Sequence, residues 1–257
     1  MSFRKEILFA ALLLFFLFLV PLLSFLNRRT KKKESERRGK DFIANASHEL
    51  RTPITVIRGF AEILHDLPKE SAEMIPEISG KILRTSLRLE KLVQSLQTLS
   101  DLENGAKEQF QAVDLLPIVE QCKALQLALH PGALISIHCD QPRAMAQVDA
   151  DIFEMAIMNL LDNAIKYSAP PAEITVRMRS LGSRFLFEME DKGIGIPESE
   201  LPHIFDRFYR VDQARSRQTG GAGLGLSIVR TIVEKHHGEI AVFSQVGKGT
   251  HFKITIP

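Results

Sequence analysis

The chain has no tryptophan, two tyrosines and two cysteines among its 257 residues. Cys122 and Cys139 share no C-x-x-C spacing, so neither a zinc knuckle nor a dithiol redox site is encoded. Two free thiols in a reducing compartment is the plain reading. Neither sign of charge is in excess: 33 Lys and Arg against 31 Asp and Glu leave +2, which gives no reason to expect nucleic acid as a partner. No segment reads G-x-x-x-x-G-K-[ST], which excludes a P-loop. Internal repeats and low-complexity tracts are missing too. What remains, 45% hydrophobic and 25% charged residues, is the composition of a globular chain of one or two domains plus attachments.

Charge is also missing from residues 7–26, which are mostly Leu and Phe. At 1.5 Å per residue a helix there spans roughly 30 Å, the thickness of a bilayer core. A cleaved signal peptide is the competing reading, with Arg4 and Lys5 as its basic start. No A-x-A-like cleavage site follows; instead Arg28, Arg29, Lys31, Lys32, Lys33, Arg37, Arg38 and Lys40 crowd the next stretch. We therefore expect a retained membrane anchor over 1–27 and a basic juxtamembrane linker over 28–40. The charge asymmetry turns everything after Arg28 toward the cytosol, and Pro21 is tolerated in a membrane helix.

Residues 41–104 read as a helical hairpin. Ile43, Ala46, Leu50, Ile54, Ile57, Ala61 and Leu64 recur at steps of three and four. Ile75, Ile78, Ile82, Leu89, Leu92, Leu96 and Leu99 do the same after a turn around Pro68, with Thr85 a polar gap. One apolar stripe per helix is poorly buried in a lone hairpin, and two hairpins paired as a four-helix bundle bury it well, so a homodimer is expected. Residues 105–113 follow as a linker.

From Asp114 to Pro257 helices and strands mix. Asp114 is placed to cap a helix reaching Leu129, and residues 134–139 suit a strand. Phe153, Ala156, Ile157, Leu160, Leu161 and Ala164 make a buried stripe over 151–167. Residues 174–178 and 185–189 suit a hairpin around Gly182. A helix over 226–235, ended by His237-Gly238, and strands near 240–243 and 251–256 complete an α+β two-layer sandwich of ordinary domain size.

The chemistry is concentrated in a few stretches. In "SHELRTPIT", His48 lies roughly 200° around the helix from both Ala46 and Leu50, so it faces away from the apolar seam. Glu49 can orient one imidazole nitrogen and leave the other as a nucleophile. Pro53 removes the N–H that the Glu49 carbonyl would otherwise accept, which loosens the helix there. Thr52, four residues beyond His48, offers a hydroxyl that can hold a water, or simply bond back to the carbonyl of His48. A lone surface histidine is usually just solvated, so His48 gains weight only from what accompanies it.

In "NLLDNAIKYS", Asn159, Asn163 and Lys166 share one helix face, with Tyr167 beside them. Amide oxygens suit a hydrated Mg²⁺ and an ammonium suits phosphate, although a solvated polar face is the commoner meaning of such a pattern. "DKGIGIP" follows a strand and "GGAGLGLSIV" opens a helix, where backbone N–H groups can cradle phosphate. Each glycine run alone is weak, because turns also use glycine. The Asp191 carboxylate can accept from an exocyclic amine, which would select adenine over guanine.

The ordered set "FIANASHELRTPIT", "NLLDNAIKYS", "DKGIGIP", "IFDRFYR" and "GGAGLGLSIV" resembles the bacterial membrane sensor histidine kinases of two-component systems, from about Lys40 to Pro257. The resemblance implies a dimerisation and histidine-phosphotransfer domain over 41–104 and an ATP-binding Bergerat-type sandwich over 114–257. It implies that His48 is the phosphoacceptor, Glu49 the acid/base, Asn163 the Mg²⁺ ligand and Asp191 the adenine reader. Asn159, Lys166, Tyr167, Gly193, Gly195, Gly221, Gly223, Leu224, Gly225 and Leu226 would line the ATP site. Phe205 and Phe208 would belong to its mobile lid, with Arg210 an extra cation, and Thr52 would serve dephosphorylation of the partner.

On this resemblance ATP and Mg²⁺ are required, and a response regulator accepts the phosphoryl group. The protein would be a homodimer held in the bacterial cytoplasmic membrane by one helix, with its catalytic part in the cytoplasm. The phosphate-responsive subgroup is nearest in "FIANASHELRTPIT". Lys192 departs from the family's frequent asparagine, and no extracytoplasmic sensor separates two spans. Two other classes stay open: an ATPase of the gyrase or chaperone kind without a phosphohistidine, and a membrane-anchored interaction protein.

Overall fold

The computed structural model describes residues 39, 41–104, 109–182, 184–211 and 221–257. The anchor expected over 1–27 lies outside the described residues, as does all of the basic linker except Gly39. Among the described residues no helix is long and apolar enough to cross a membrane. The chain divides into two compact units, Met1–Arg51 and Thr52–Pro257.

The described part of the first unit is the start of helix α1 (41–65). Ser47 Oγ donates to the Ile43 carbonyl at 2.8 Å. His48 is exposed, as the helix period places it, and Glu49 is half-buried.

The second unit begins inside α1. Pro53 is buried there without ending the helix. The turn expected around Pro68 is partly a 3₁₀ helix, Lys69–Met74, which leads into α2 (Ile75–Glu103) with a proline in its first turn, where no N–H is needed. Ile78, Leu92 and Leu99 of the expected stripe are buried, together with Leu102.

The rest of the second unit is the sandwich. Its elements are β1 (Gln111–Asp114), α3 (Leu115–Leu129), β2 (Leu134–Cys139), β3 (Met145–Val148), α4 (Ala150–Lys166), β4 (Glu173–Leu181), β5 (Arg184–Asp191), α5 (Gly225–Lys235), β6 (Glu239–Gln245) and β7 (Gly249–Ile256). Five strands form one sheet in the order β2-β4-β5-β7-β6, with β2 parallel to β4 and the other pairs antiparallel. The layer of α3, α4 and α5 supplies Val119, Phe153, Ile157, Leu161, Val229 and Ile232 to the core, against Val176, Met178, Phe187, Met189 and Ile254 of the sheet. The alternate strand positions carry charge, which is paired across strands: Arg179 with Glu188 at 2.5 Å and Arg177 with Glu190 at 2.8 Å. Arg179 holds the Glu188 carboxyl below the usual carboxylate range against the opposing effect of burial. Cys122 and Cys139 are free, and burial pushes the Cys122 thiol up to about 12, which makes it an inert core group.

One expectation needs correction. The linker read over 105–113 ends in a strand, because β1 pairs antiparallel with β3 (Gln111 opposite Val148, Asp114 opposite Met145). Strands of four residues are too short to show alternation, and both went unread. Asp114 does cap α3: its Oδ1 accepts from Leu116 N–H at 3.2 Å and also from Ala144 N–H at 2.9 Å, which ties β3's lead-in to the helix. At the end of α5 the left-handed position is His237 (φ 54°), not the glycine. Gly238 follows it, donating from its N–H to the Val233 carbonyl at 2.9 Å, the Schellman pattern. A Cβ on Gly238 would lie 2.6 Å from the Thr255 carbonyl oxygen, so glycine is there for close approach to β7.

Candidate functional site

Three stretches distant in sequence meet at the end of α4. On α4, Asn159 Nδ2 donates to the Met155 carbonyl at 2.8 Å. Its Oδ1 lies against Gly225, where an added Cβ would sit 2.9 Å from Asn159 Oδ1 and 3.8 Å from Asn163 Nδ2. Lys166 Nζ lies 5.0 Å from the Tyr167 ring centroid and also abuts Gly221, where a Cβ would collide with the ammonium. Gly221 and Gly225 thus lie along the polar face of α4, Gly223 closely approaches the backbone of Phe208 and Tyr209, and the buried Leu224 fixes the start of α5 in the core. Leu226 is half-buried.

The 191–197 loop packs on the C-terminus of α4. Ile194 N–H donates to the Tyr167 carbonyl at 3.0 Å, and a Cβ on Gly193 would lie 2.6 Å from that same oxygen. Gly195 has φ +70°, and a Cβ there would lie 2.6 Å from the Gln245 carbonyl carbon, so no other residue fits without movement. Asp191 is 8% exposed, and its Oδ1 accepts from Gly193 N–H at 2.8 Å and Thr250 N–H at 3.2 Å. Burial pushes the Asp191 carboxyl up, past the lowering effect of those two amides. The result is a desolvated carboxylate with a strong demand for a further donor.

The residues expected in the lid stand differently. Phe205 packs edge-on against Phe252 of β7, with centroids 6.4 Å apart, so its ring joins the sheet. Phe208 has φ 64°, and its N–H donates to the Gly223 carbonyl at 2.8 Å, which joins "IFDRFYR" to the glycine segment through backbone. Arg210 is half-buried. Tyr209 OH donates to Glu200, and Arg207 pairs with Glu103 at the end of α2. Lys192, the departure from the family pattern, sends its ammonium to Glu173 at 2.6 Å.

Sequence reasoning missed the supports from the far hairpin. Thr250 N–H comes from β7, and Ser244 Oγ links three pieces: it accepts from Ile196 N–H at 2.8 Å, donates to the Gly249 carbonyl at 2.8 Å and lies 3.0 Å from Thr250 Oγ1. A serine and a threonine in a hairpin carry no local signal of this. Among the described residues no group of three or more His, Cys, Asp and Glu could hold a metal ion.

A cradle of tight glycines, amides and one ammonium around a buried carboxylate defines a nucleotide-binding domain of the two-layer ATPase kind. Residues 148–257 match the family "Histidine kinase-, DNA gyrase B-, and HSP90-like ATPase", and residues 40–105 match the "His Kinase A (phospho-acceptor) domain". The sensor histidine kinase YkoH of Bacillus subtilis is 34% identical over 218 residues, 85% of this chain and 47% of that protein. The sensor-like histidine kinase SenX3 of Mycolicibacterium smegmatis is 33% identical over 235 residues, 91% of this chain and 61% of that protein. Among solved structures, the Acinetobacter baumannii histidine kinase AdeS is 28% identical with a TM-score of 0.63, over 81% of this chain and 96% of that one. The chain belongs to the bacterial sensor histidine kinases, and spans about half the length of the curated relatives it matches.

Proposed function

We propose that the protein is an ATP-dependent histidine kinase that phosphorylates itself on His48 and passes the phosphoryl group to an aspartate of a response regulator. The observation that carries the reading is the buried Asp191 carboxylate, held by two backbone amides beside the glycine cradle, in a chain that also presents His48 on an exposed helix face. Asp191 accepts from the exocyclic amine of adenine and so distinguishes ATP from GTP. Lys166 and the N–H groups of the 221–225 segment meet phosphate oxygens, while Asn159, Tyr167, Gly193, Gly195, Leu224 and Leu226 shape the walls.

Asn163 is the side chain that would hold Mg²⁺, which supplies neutralisation of phosphate charge when bound. Phe205 and Phe208 place the lid, and Arg210 adds a cation there. Glu49 holds one imidazole nitrogen of His48. The other nitrogen forms the bond to the γ-phosphorus while the bond to the β,γ-bridging oxygen breaks and ADP leaves with that electron pair. In the second step the regulator's aspartate oxygen bonds to phosphorus and the histidine nitrogen leaves. Thr52 positions a water for the reverse traffic, hydrolysis of the phosphoaspartate.

The domains we assign are the anchor (1–27), linker (28–40), dimerisation and phosphotransfer hairpin (41–104), connector (105–110) and ATP-binding sandwich (111–257), which begins with β1. The protein works as a homodimer in the bacterial cytoplasmic membrane, with its catalytic part in the cytoplasm and no nucleic-acid partner. The test is incubation with ATP labelled at the γ-phosphate. Label that is acid-labile, base-stable and lost in His48→Gln, with ATP affinity within about twofold of wild type, is the expected result. ATP hydrolysis with no label on the chain would instead make it an ATPase of the gyrase kind. Thr52→Ala is expected to spare the label on His48 and slow loss of phosphate from the regulator by about tenfold, one positioning interaction.

A further inference from the structure

Asp149 sits where three pieces of chain meet, away from the nucleotide cradle. Its Oδ1 caps α4 through Ile152 N–H at 3.5 Å. Its Oδ2 accepts from Gln109 N–H at 2.9 Å, and its own N–H donates to His236 Nε2 at 3.0 Å. His236 is the C-cap residue of α5 and is 3% exposed. Its Nδ1 lies 2.7 Å from the Ile232 carbonyl oxygen, which can only accept, so Nδ1 carries the proton and Nε2 is left as the acceptor that Asp149 N–H needs. Phe153 of α4 packs edge-on to the His236 ring at 5.5 Å, and Phe110 does so from the connector at 5.1 Å. Phe110 is 41% exposed, so the core does not require it.

Gln109 and Phe110 are the first described residues after Asn104, where the helical hairpin ends. They are fastened to the start of α4 and the end of α5. The opposite ends of these two helices carry Lys166 and the glycine segment, and so frame the cradle. The connector is therefore tied to both cradle helices without touching the cradle.

We propose that Asp149, His236 and Phe110 form a connector clamp, a set of positioning residues that orients the nucleotide domain on its connector and so sets how often bound ATP meets the phosphoacceptor histidine. The inference rests on the kinase reading above. Its leverage is orientation rather than tether length. Releasing Gln109 and Phe110 adds only two residues between α2 and β1, since Gln111 is already paired with Val148. A change that small alters effective concentration by about twofold at most. Alignment of reacting groups carries far larger factors.

The test uses the full chain with Phe110→Ala, Asp149→Asn and His236→Gln. Asparagine can still cap α4 but has one oxygen for two donors, and glutamine can still accept from Asp149 N–H while losing the ring contacts. Three quantities are read: hydrogen exchange at the Gln109 amide, affinity for a fluorescent ATP analogue, and the rate of phosphohistidine formation at saturating ATP. Phe110→Ala and Asp149→Asn are expected to speed exchange at Gln109 about tenfold and leave affinity within about twofold. Their phosphorylation rate should fall at least about fivefold, beyond the tether-length effect. His236→Gln should lie between them and wild type. Unchanged exchange would show that these contacts do not hold the connector. Faster exchange with an unchanged rate would make the clamp merely structural, and affinity falling with the rate would mean that it acts through the cradle; each overturns the proposal. A wild-type chain that binds ATP but forms no phosphohistidine would overturn the kinase reading, and the positioning role with it, while exchange at Gln109 still reports the contacts separately.

Discussion

Thr250 N–H donates to Asp191 Oδ1 at 3.2 Å, from the strand adjacent to the one that ends in the carboxylate. The approach depends on Gly249, whose φ of +109° brings it against the Asp191 carbonyl, where a Cβ would collide. Gly193 N–H serves the same oxygen from the other side, at 2.8 Å. The carboxylate is thus gripped by backbone from two strands' ends, and a charge that burial disfavours is kept in the fold where a ligand's donor can reach it.

That grip has a cost with a definite pH dependence. Burial raises the Asp191 carboxyl in the folded state, so its contribution to stability is present below the ordinary aspartate range and is lost as pH rises through the raised value. At neutral pH Asp191→Asn should melt no lower than wild type, and its advantage should vanish below about pH 4, where both carry a neutral group. ATP affinity should fall at least about tenfold in the same variant. Thermal melts at the two pH values beside a nucleotide titration check both halves. A variant that melts lower at pH 7 than at pH 4, relative to wild type, would contradict the account.

Two glycines with positive φ separate conformational strain from collision. Gly182 has φ +65° with nothing within 4 Å of an added Cβ, whereas Gly195 has φ +70° with the Gln245 carbonyl carbon at 2.6 Å. Gly182→Ala should cost about 1 kcal/mol, the price of a left-handed alanine. Gly195→Ala should cost about 3 kcal/mol or more, since backbone must move as well. Chemical denaturation of both variants checks the difference; equal losses would mean that the 191–197 loop relaxes freely.

Lys192 provides a test at a departure from the family pattern within the nucleotide motifs. Its ammonium is engaged by Glu173 at the start of β4, which raises the lysine's pKa above its usual value. Lys192→Asn should therefore leave ATP affinity and phosphohistidine formation within about twofold of wild type. A larger loss would mean that the side chain leaves Glu173 for the nucleotide.

Much of this was legible beforehand, for identifiable reasons. Phe153, Ile157, Leu160 and Ala164 were found buried on α4 because a long helix repeats its signal over several turns. Asp114 was recognised as a cap because capping is a local act between neighbours. The glycines were visible as residue types, but their reasons were not. Gly193 is there for the Tyr167 carbonyl and Gly223 for the backbone of Phe208 and Tyr209, contacts that only the folded chain creates. The resemblance places Phe205 in the lid, and the partner its ring packs against, Phe252 of β7, lies 47 positions later in the numbering, where no local pattern names it. The β1–β3 ribbon and the Asp149–His236 pair were unreadable for the same reason, being short or long-range.

The hairpin leaves apolar surface that one copy cannot bury. Ile54 is 53% exposed, Ile63 48%, Leu83 61% and Leu87 50%. Leu83 and Leu87 are four apart on α2 and so share a face. Fully burying a leucine gains roughly 1.5–3 kcal/mol, so burying even half of this face against a second copy offsets much of the cost of association. The double substitution Leu83→Glu with Leu87→Glu places two carboxylates on the face, and in a symmetric dimer four. It should convert the chain lacking residues 1–27 from dimer to monomer at micromolar concentration. Its sandwich should stay folded, because neither leucine belongs to that core, so ATP affinity should remain within about twofold. Phosphohistidine formation should fall at least tenfold, since bundle and acceptor are disturbed together. Sedimentation velocity, nucleotide titration and label incorporation on one preparation decide the matter. A variant that sediments as a dimer would show that these leucines lie outside the contact, and the bundle would then have to be sought around Ile54 on α1.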